Sequence, residues 1–453
     1  MKGLLFTYLV TGGGVTLSLF NPFYGLLAYT MLAIVKPESL WPWAVAPGRY
    51  SLMVAMAMLI GWSYSKRSTF QFGRGGAVAG LLLTFLVWAS GQAYFAPNQE
   101  LAWKFIEDLA KIAIPFCVGL TSITSLKQLK QLAWTILICQ GYVALEMNLA
   151  YFGGYNTLAY DGFGTLDNNG AANALVTGLG LAFFLGLHSE SLWQKGLALG
   201  LGGCMAHAIL FSFSRGGMLA MVIAGVVTFL IIPKRPRHYF AFALAAVVGL
   251  SLAGAEVRER FDSVFTKKGE SREASAQSRL DLWRDCWDVI QKHPVTGCGP
   301  NQWPLVAASY GWTRGKEAHS LWVQTAAELG FPGLALLVGF YGVCMTRCWT
   351  LTRRLTEVDD PWHGELARAV IVSLTGFAVA AQFVSVESME IPYYVALLGA
   401  GTLKLASVRN PNFQISMSNE ISNPNFQDPM SNECPSPNDQ SVGLWAGTAS
   451  AAV

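Results

Sequence analysis

Three basic residues that lie far apart in the sequence, Arg215, Arg279 and His319, have side chains suited to chemistry on a diphosphate. Arginine binds phosphate oxygens through paired hydrogen bonds, and neutral histidine is a suitable general base near neutral pH. If the three side chains meet, the arginines can hold a diphosphate and stabilise the negative charge that grows as it leaves. The histidine can take a proton from an acceptor hydroxyl, which then attacks the anomeric carbon of a sugar on that diphosphate. Whether they meet depends on the elements that carry them.

The carrying elements are predicted to be transmembrane helices. The chain has 453 residues, of which 53% are hydrophobic and only 13% are charged, whereas soluble proteins carry about 25% charged residues. Apolar runs of roughly 17–20 residues recur along the chain, and each is long enough to cross a bilayer. The composition therefore predicts an all-α, polytopic integral membrane protein with about 12–13 transmembrane helices. The net charge of +3 gives no indication of nucleic-acid binding.

The loops between the predicted spans alternate between lysine- and arginine-rich and nearly free of both. The basic loops, near residues 66–74, 127–130 and 347–354 for example, belong in the cytoplasm. The loops 152–169 and 387–392 then belong outside. The N-terminal orientation stays open, because alternation puts the N-terminus outside whereas Lys2 favours the inside. The predicted spans are 3–19, 22–36, 50–64, 77–94, 105–121, 131–151, 171–187, 196–213, 217–232, 239–255, 320–345, 369–386 and 391–406.

Two segments lie outside these spans. Within a membrane domain of residues 1–407, residues 256–319 form one long polar loop, which the alternation places outside. The tail 408–453 is rich in Asn, Ser and Pro and contains the near-repeat NPNFQISMSNE and NPNFQDPMSNE. Such a composition predicts a disordered cytoplasmic tail without chemistry.

Arg215 lies in the turn SRGG between two predicted spans, on the outer side. Its two glycines allow a tight turn and leave backbone N–H groups exposed at the start of the next helix, which favours an anion there. The alternative is a snorkelling arginine that anchors a helix end.

The polar loop is predicted to contain an amphipathic helix from Ser275 to His293. The predicted apolar face, which packs on the membrane domain or the lipid interface, consists of Leu280, Trp283, Trp287 and Ile290. Arg279 and Arg284 project from this helix near the interface. For each arginine, the alternative is a solvated helix face.

His319 is predicted to lie where the polar loop enters a transmembrane helix, and the alternative is a purely structural histidine. Glu328 would lie about 13 Å deeper along that helix and would need a partner of its own. Asn169 is a candidate for contacting sugar hydroxyls, and the alternative is a helix cap for the span that begins near residue 171. Cys286 and Cys298 fall in one polar segment and are either a disulfide or two packed thiols.

At these residues the sequence resembles the O-antigen ligase superfamily of bacterial membrane glycosyltransferases, which includes O-antigen ligases, O-antigen polymerases and protein O-oligosaccharyltransferases. The N-terminal segments NPFYGLLAY and VKPESLWPW, with TLDNNGAANAL at 165–175, resemble its O-glycosylation ligase branch associated with exosortase systems. The superfamily motifs, in matching order and spacing, are SRGG at 214–217, SRLDLWRD at 278–285, HPVTGCGPNQW at 293–303 and AHSLWVQTAAELGFPG at 318–333.

The resemblance implies a lipid-sugar-using glycosyltransferase fold in the bacterial inner membrane, with a periplasmic loop over the active site. It implies an undecaprenyl-diphosphate-linked glycan as donor, a glycan, lipid or protein as acceptor, and no metal ion or other cofactor. By position, Arg215 and Arg279 would bind the diphosphate and His319 would be the catalytic base, with Arg284 and Asn169 as further substrate-binding candidates. Many relatives have Asn after the histidine, where this chain has Ser320.

Two alternatives to a glycan ligase stay open. A polymerase, which uses a second lipid-linked glycan as acceptor, would use the same chemistry. A transporter for a lipid or amphiphile would also have many spans, but transporters usually show internal repeats and midplane charges. The spans show no convincing repeat, and the candidate charges cluster at one face with Glu328 as the main exception.

Overall fold

The computed structural model describes residues 1–66, 68–232, 236, 238–240, 242–243, 270–355 and 360–409, with the backbone alone at 270–276 and 408–409. Within these residues the chain is helical and contains no β-strand, as predicted. Residues 1–409 form one compact unit. The predicted tail beyond Arg409, most of the predicted span 239–255 and the start of the predicted loop 256–319 lie outside the described residues.

The described helices are numbered in chain order. They are α1 Lys2–Phe20, α2 Pro22–Val35, α3 Pro37–Leu40, α4 Tyr50–Tyr64, α5 Gly76–Phe95, α6 Gln99–Ser122, α7 Leu126–Phe152, α8 Thr157–Tyr160, α9 Asn168–His188, α10 Leu192–Phe211, α11 Arg215–Ile231, α12 Glu270–Lys292, α13 Trp303–Val306, α14 Leu321–Arg354, α15 Pro361–Ala380 and α16 Ile391–Arg409.

Within the described residues a helix overlaps each predicted span, although several boundaries differ. Helices α1, α7, α9 and α14, together with the segment Gly73–Phe95 that contains α5, are long and apolar enough to cross a membrane. Helices α4 and α11 are shorter but also apolar. The chain is therefore an all-α, multi-pass membrane protein.

The predicted span 369–386 was misplaced, because α15 begins at Pro361 and ends at Ala380. Its first turns carry charged residues that hydropathy counts against a span. Those charges are paired: Glu365 lies 3.3 Å from His188 Nδ1 and also accepts a hydrogen bond from Arg368. Pairing lets charged side chains occupy a buried helix start.

Contacts between helix ends define two ends of the bundle. Among the described residues, the basic end comprises 65–66, 68–74, 122–126, 189–192, 355 and 360, and the site end comprises 153–167, 212–214, 293–320 and 381–390. At the basic end, the Arg347 guanidinium donates to the Arg74 carbonyl over 2.6 Å, and the Lys404 ammonium donates to the Leu120 carbonyl over 2.6 Å.

The N-terminus lies at the site end, because Lys2 forms a 2.5 Å ion pair with Glu146 in the last turns of α7. The opposite end of α1 packs beside the end of α4, where the Tyr64 hydroxyl donates to the Leu19 carbonyl. The tight break after α1 is made by Asn21, whose side chain accepts from the Phe23 N–H and caps α2. Residue 2 therefore lies at the same end of the bundle as the loops predicted to be outside, as simple alternation requires.

The centre of the bundle is α9, which packs against α7, α10, α11 and α15. In its most apolar stretch 83% of residues are buried, compared with 28% in α1. Close approach depends on small residues: a side chain at Gly180 would meet the Ala369 carbonyl of α15 at 2.6 Å. The packing of α9 against these helices fixes the position of its first residues at the site end.

Helix α12 packs only part of its predicted apolar face. Leu280 and Trp287 are about half exposed, so their predicted packing on the membrane domain was wrong, whereas contact of these side chains with the lipid interface stays a prediction. The buried stripe consists of Leu282, Cys286, Val289 and Ile290. The stripe is shifted because the helix packs on the loop that follows it and on α14, and the sequence does not show where these lie.

Candidate functional site

Three helix starts lie together at the site end. Helix α9 is capped by the Asp167 carboxylate, α11 by the Ser214 hydroxyl and α14 by the Ser320 hydroxyl. Each cap accepts a hydrogen bond from an N–H group of the first turn, over 2.7, 3.1 and 3.4 Å respectively. The start of a helix carries partial positive charge and unpaired N–H groups, so their meeting favours an anion at this end.

Helices α9 and α11 are joined by side chains at their first residues. The Ser214 hydroxyl donates to Asn169 Oδ1 over 2.8 Å, and Asn168 Nδ2 donates to the Ser212 carbonyl over 3.0 Å. A side chain at Gly217 would meet Ala172 at 2.7 Å, so only glycine permits this approach. Asn169, predicted to be either a sugar contact or a helix cap, therefore fixes the Arg215 turn against α9.

The turn between α15 and α16 holds α11 and α14 together. The Leu321 N–H donates to the carbonyls of Ala381 and Val384 over 2.9 and 3.0 Å. On the other side of the same turn, Phe383 lies against Gly216, where an added Cβ would come within 2.9 Å of it. The start of α14, and with it His319, is thus tied to the Arg215 turn through backbone hydrogen bonds on one side and the Phe383 side chain on the other.

His319 is half-buried and adopts a left-handed backbone conformation, with φ of 53°. This conformation is uncommon for residues other than glycine and persists only when the surroundings enforce it. The neighbouring Ala318 supplies that constraint: its carbonyl accepts from Trp283 Nε1 over 2.9 Å and its N–H donates to Gln324 Oε1 over 3.0 Å. Through Trp283, helix α12 therefore fixes the backbone of Ala318, the residue that precedes His319.

Arg279 and His319 share one electrostatic environment with Asp167. Burial lowers the pKa of His319, and the positive charges of Lys316 and Arg279 lower it further, while Asp167 acts in the opposite direction. Burial also lowers the pKa of Arg279, which Asp167 counteracts. Because arginine stays charged in proteins, this arrangement pairs a permanent cation with an imidazole that is neutral at pH 7.

Two carboxyl groups that sequence reasoning did not single out border this environment. Burial and the nearby Asp167 raise the pKa of Glu317, against the effect of Lys316. Burial, with Glu328 and Glu317 nearby, raises the pKa of Glu387 well above its usual range. One carboxyl oxygen of Glu387 is buried and has no hydrogen-bond partner among the described residues. Glu387 stands in the predicted outer loop ESMEIP, whose only sequence signal was its lack of basic residues.

Glu328 has the partners of its own that the prediction required. Helix α14 is broken at Gly330, whose φ of 68° and ψ of −177° are non-helical. The Glu328 carboxylate accepts from the backbone N–H groups of Asn301 and Trp303 over 2.6 and 3.2 Å. The motif 293–303 therefore packs into the break and supplies the partners that Glu328 needs.

The break also separates the base from the membrane-spanning part of α14. Residues 331–354, about 36 Å long at 1.5 Å per residue, are enough to cross a bilayer alone. The short piece before Gly330 belongs to the site end together with His319. The predicted span 320–345 is therefore interrupted at Gly330, and the helix continues beyond its predicted end to Arg354.

The predicted site residues lie in three kinds of surroundings. Arg279 and His319 share the environment just described. Arg215 is exposed at the first position of α11, beside the environment that Arg279 and His319 share. Arg284 is on the solvent-exposed side of α12, where it forms a 3.2 Å ion pair with Asp281.

Other features of the site region concern cysteines and metals. Cys286 and Cys298 are free thiols, and burial raises the pKa of each. Among the described residues, no group of three or more His, Cys, Asp or Glu side chains is arranged to hold a metal ion.

An apolar groove of about 400 Å³ lies between α9, α10 and α11. Its lining includes Leu210, Met221 and Gly225, so it runs from near the site end into the membrane-spanning part of the bundle. Met221 is six residues from Arg215, about 9 Å along α11. Gly203 and Gly225 face open space in the groove, because a Cβ at either position would meet nothing within 4 Å.

Residues 200–338 match the family described as O-Antigen ligase. This match supports the resemblance to the O-antigen ligase superfamily that the sequence motifs indicate. The matched region contains Arg215, Arg279 and His319, together with the motif that packs around Glu328. No curated protein matches the chain. The match supports a role in glycan transfer or polymerisation in general and is typical of a glycosyltransferase-like enzyme.

Proposed function

We propose that the protein transfers a glycan from a polyprenyl diphosphate, such as undecaprenyl diphosphate, to an acceptor hydroxyl at the periplasmic face of the bacterial inner membrane. The observation that carries this proposal is the shared environment of Arg279 and His319, bordered by three helix starts and the Arg215 turn. A doubly basic, anion-favouring site beside a neutral imidazole suits a diphosphate leaving group and a hydroxyl nucleophile.

The diphosphate would lie at the start of α11. Arg215 and Arg279 would form charge-assisted hydrogen bonds with its oxygens, and the N–H groups of the helix start would add to them. As the bond between the anomeric carbon and the diphosphate oxygen breaks, its electron pair stays on that oxygen. The two guanidinium groups then stabilise the growing negative charge more strongly than in the bound donor, which is what accelerates the reaction.

His319 would act on the acceptor. Its lowered pKa keeps the imidazole neutral at pH 7, so that it can accept the hydroxyl proton while the oxygen forms the new bond to the anomeric carbon. The protonated imidazole would then release the proton to solvent. The left-handed backbone at His319 suits this role, because it fixes the direction of the side chain in the absence of substrate.

The lipid part of the donor would occupy the apolar groove between α9, α10 and α11. The groove runs to within two turns of Arg215, so a diphosphate at the start of α11 can continue into a hydrocarbon chain there. The lysines and arginines at the opposite, basic end support the periplasmic placement of the site.

A transfer assay with purified protein and a polyprenyl-diphosphate-linked glycan tests this proposal. We expect His319→Asn to lower the transfer rate by about 10²-fold or more, the usual contribution of a general base. Asparagine tolerates a left-handed backbone better than most residues, so this variant keeps the local fold. The matched control is His293→Asn, an exposed histidine of the same loop, which should retain activity. Wild-type transfer by His319→Asn would exclude the mechanism.

A polymerase of the same superfamily is the second candidate, because the family match supports glycan transfer or polymerisation in general. Product length separates the two: a ligase joins one preassembled glycan to its acceptor, whereas a polymerase yields a ladder of lengthening lipid-linked products. The exosortase-associated branch stays a prediction from the N-terminal motifs.

A further inference from the structure

A second cavity lies at the basic end, on the opposite side of the bundle from the proposed transfer site. It has a volume of about 550 Å³ and is formed by α2, α7, the turn between α9 and α10, and the start of α15. Nothing in the transfer chemistry requires it. Its lining changes in character from the helix ends towards the middle of the bundle.

The mouth of the cavity is basic. Lys127 and Lys130 stand one turn apart at the start of α7, and the Lys130 ammonium lies 4.1 Å from the ring centre of Trp362. A cation over an indole face is held in place by the ring. Among the described residues neither lysine forms an ion pair, and the acidic residue at the mouth, Glu190, is exposed.

The inner part of the cavity is apolar. Leu27 and Met31 of α2 and Ile138 of α7 line it. Ile138 is eight residues beyond Lys130, which is about 12 Å along the helix axis. Trp134 lies between the two regions, where tryptophan is favoured at a boundary of headgroups and hydrocarbon.

We propose that this cavity binds an anionic glycerophospholipid from the leaflet at the basic end. The lipid phosphate lies between the ammonium groups of Lys127 and Lys130, and an acyl chain extends along Leu27, Met31 and Ile138. Charge complementarity selects the anionic headgroup, and the length of the apolar part selects a lipid over a free phosphate. Basic pockets between transmembrane helices at this level of a membrane suit such headgroups.

The consequence of binding would be structural. The cavity touches α2, α7 and α15, which come from distant parts of the sequence, so a lipid in it links them at the basic end. A ligand that binds only the folded state stabilises it in proportion to the logarithm of its concentration over Kd. The bound lipid would therefore raise the thermal stability of the bundle without entering the transfer reaction.

Thermal unfolding of the full-length protein in neutral detergent, with added phosphatidylglycerol, tests the proposal. We expect phosphatidylglycerol to raise the Tm, and phosphatidylcholine and glycerol phosphate to do so much less. The double variant Lys127→Gln with Lys130→Gln should weaken the apparent affinity for phosphatidylglycerol by about tenfold or more. The matched control, Lys66→Gln with Arg353→Gln, removes two charges at the same end outside the cavity and should keep the full shift.

A second measurement uses variants that leave both lysines in place. Phosphatidylglycerol brominated on its acyl chain should quench tryptophan fluorescence, and Trp134→Phe should remove part of that quenching. An equal Tm shift with phosphatidylcholine, a full shift with glycerol phosphate, or unchanged quenching in Trp134→Phe would each overturn the proposal. The transfer rate is a separate readout, so failure of the proposed function would not affect this result.

Discussion

At the residue scale, the site depends on how neighbours set the charge of one imidazole. Burial, Lys316 and Arg279 all favour the neutral form of His319, and Asp167 partly opposes them. Because the pKa of His319 lies below its usual value, transfer should remain active at mildly acidic pH. The rate should fall only when the pH drops through this lowered pKa and the base becomes protonated.

Lys316→Gln should shift the acidic limb of the pH–rate profile towards higher pH. Removal of the positive charge makes protonation of His319 easier, which raises its pKa. The profile of log kcat/KM against pH, measured with the lipid-linked donor, reports this change. Lys292→Gln is the control, since that lysine is paired with Asp288 over 2.5 Å, and its profile should be unchanged. A Lys316→Gln profile identical to wild type would show that the charge of Lys316 does not affect the pKa of the catalytic base.

Arg215→Lys should not restore the activity lost in Arg215→Ala. Lysine supplies the charge but not the planar, forked donor geometry that matches phosphate oxygens. We expect kcat/KM of both variants to stay at least about tenfold below wild type, which corresponds to one charge-assisted contact. Arg314→Lys, at an exposed position of the same loop system, should behave as wild type. Full rescue by lysine would make Arg215 a charge that only anchors the helix.

At the element scale, helices α9, α10 and α11 form the groove that we assign to the lipid chain. Gly225→Leu should raise the KM for the lipid-linked donor, on the order of fivefold or more, because the new side chain occupies the groove. Stability should not fall, since glycine is a poor helix residue and the position faces open space. Gly80→Leu places the same side chain on an exposed face of α5 and should leave KM unchanged. Unaltered donor kinetics in Gly225→Leu would argue for another path of the lipid.

The break in α14 is the other element-scale device. Gly330→Ala should lower stability by about 1 kcal/mol or more, because alanine is strained at a φ of 68°. An added Cβ would also lie 2.2 Å from the Val295 carbonyl, so the motif 293–303 would have to move. Thermal unfolding measures this loss, with Gly342→Ala of the same helix as a control that has open space around it. Equal Tm values in the two variants would show that the break is not needed.

At the scale of the whole molecule, the mechanism requires the loops of the site end to face the same compartment. Cysteines placed at the exposed positions Thr165, Thr313 and Ser388 should react with a membrane-impermeant maleimide on spheroplasts. Cysteines at Thr124 and Ser191, exposed at the basic end, should react only after permeabilisation. The unsubstituted chain sets the background. Opposite reactivity of Thr165→Cys and Thr313→Cys would remove the common site.

The sequence by itself determined the class of the molecule and most of its helices. Long apolar runs need no partner to be recognised, since the bilayer alone fixes their length, and loop charges give their direction. The identities of Arg215, Arg279 and His319 as candidates also came from residue type, from motif and from this alternation. The type of each side chain and its motif can be read without knowledge of the packing.

Only the tertiary structure decided which of these residues meet and how they are supported. The break at Gly330, the buried face of α12 and the start of α15 all depend on partners distant in sequence, which a periodicity or a hydropathy profile cannot include. The partners of Glu328 also come from a distant part of the sequence, because its carboxylate accepts hydrogen bonds from the N–H groups of Asn301 and Trp303. Charged and strained residues are stabilised by specific contacts, and those contacts exist only once the chain has folded.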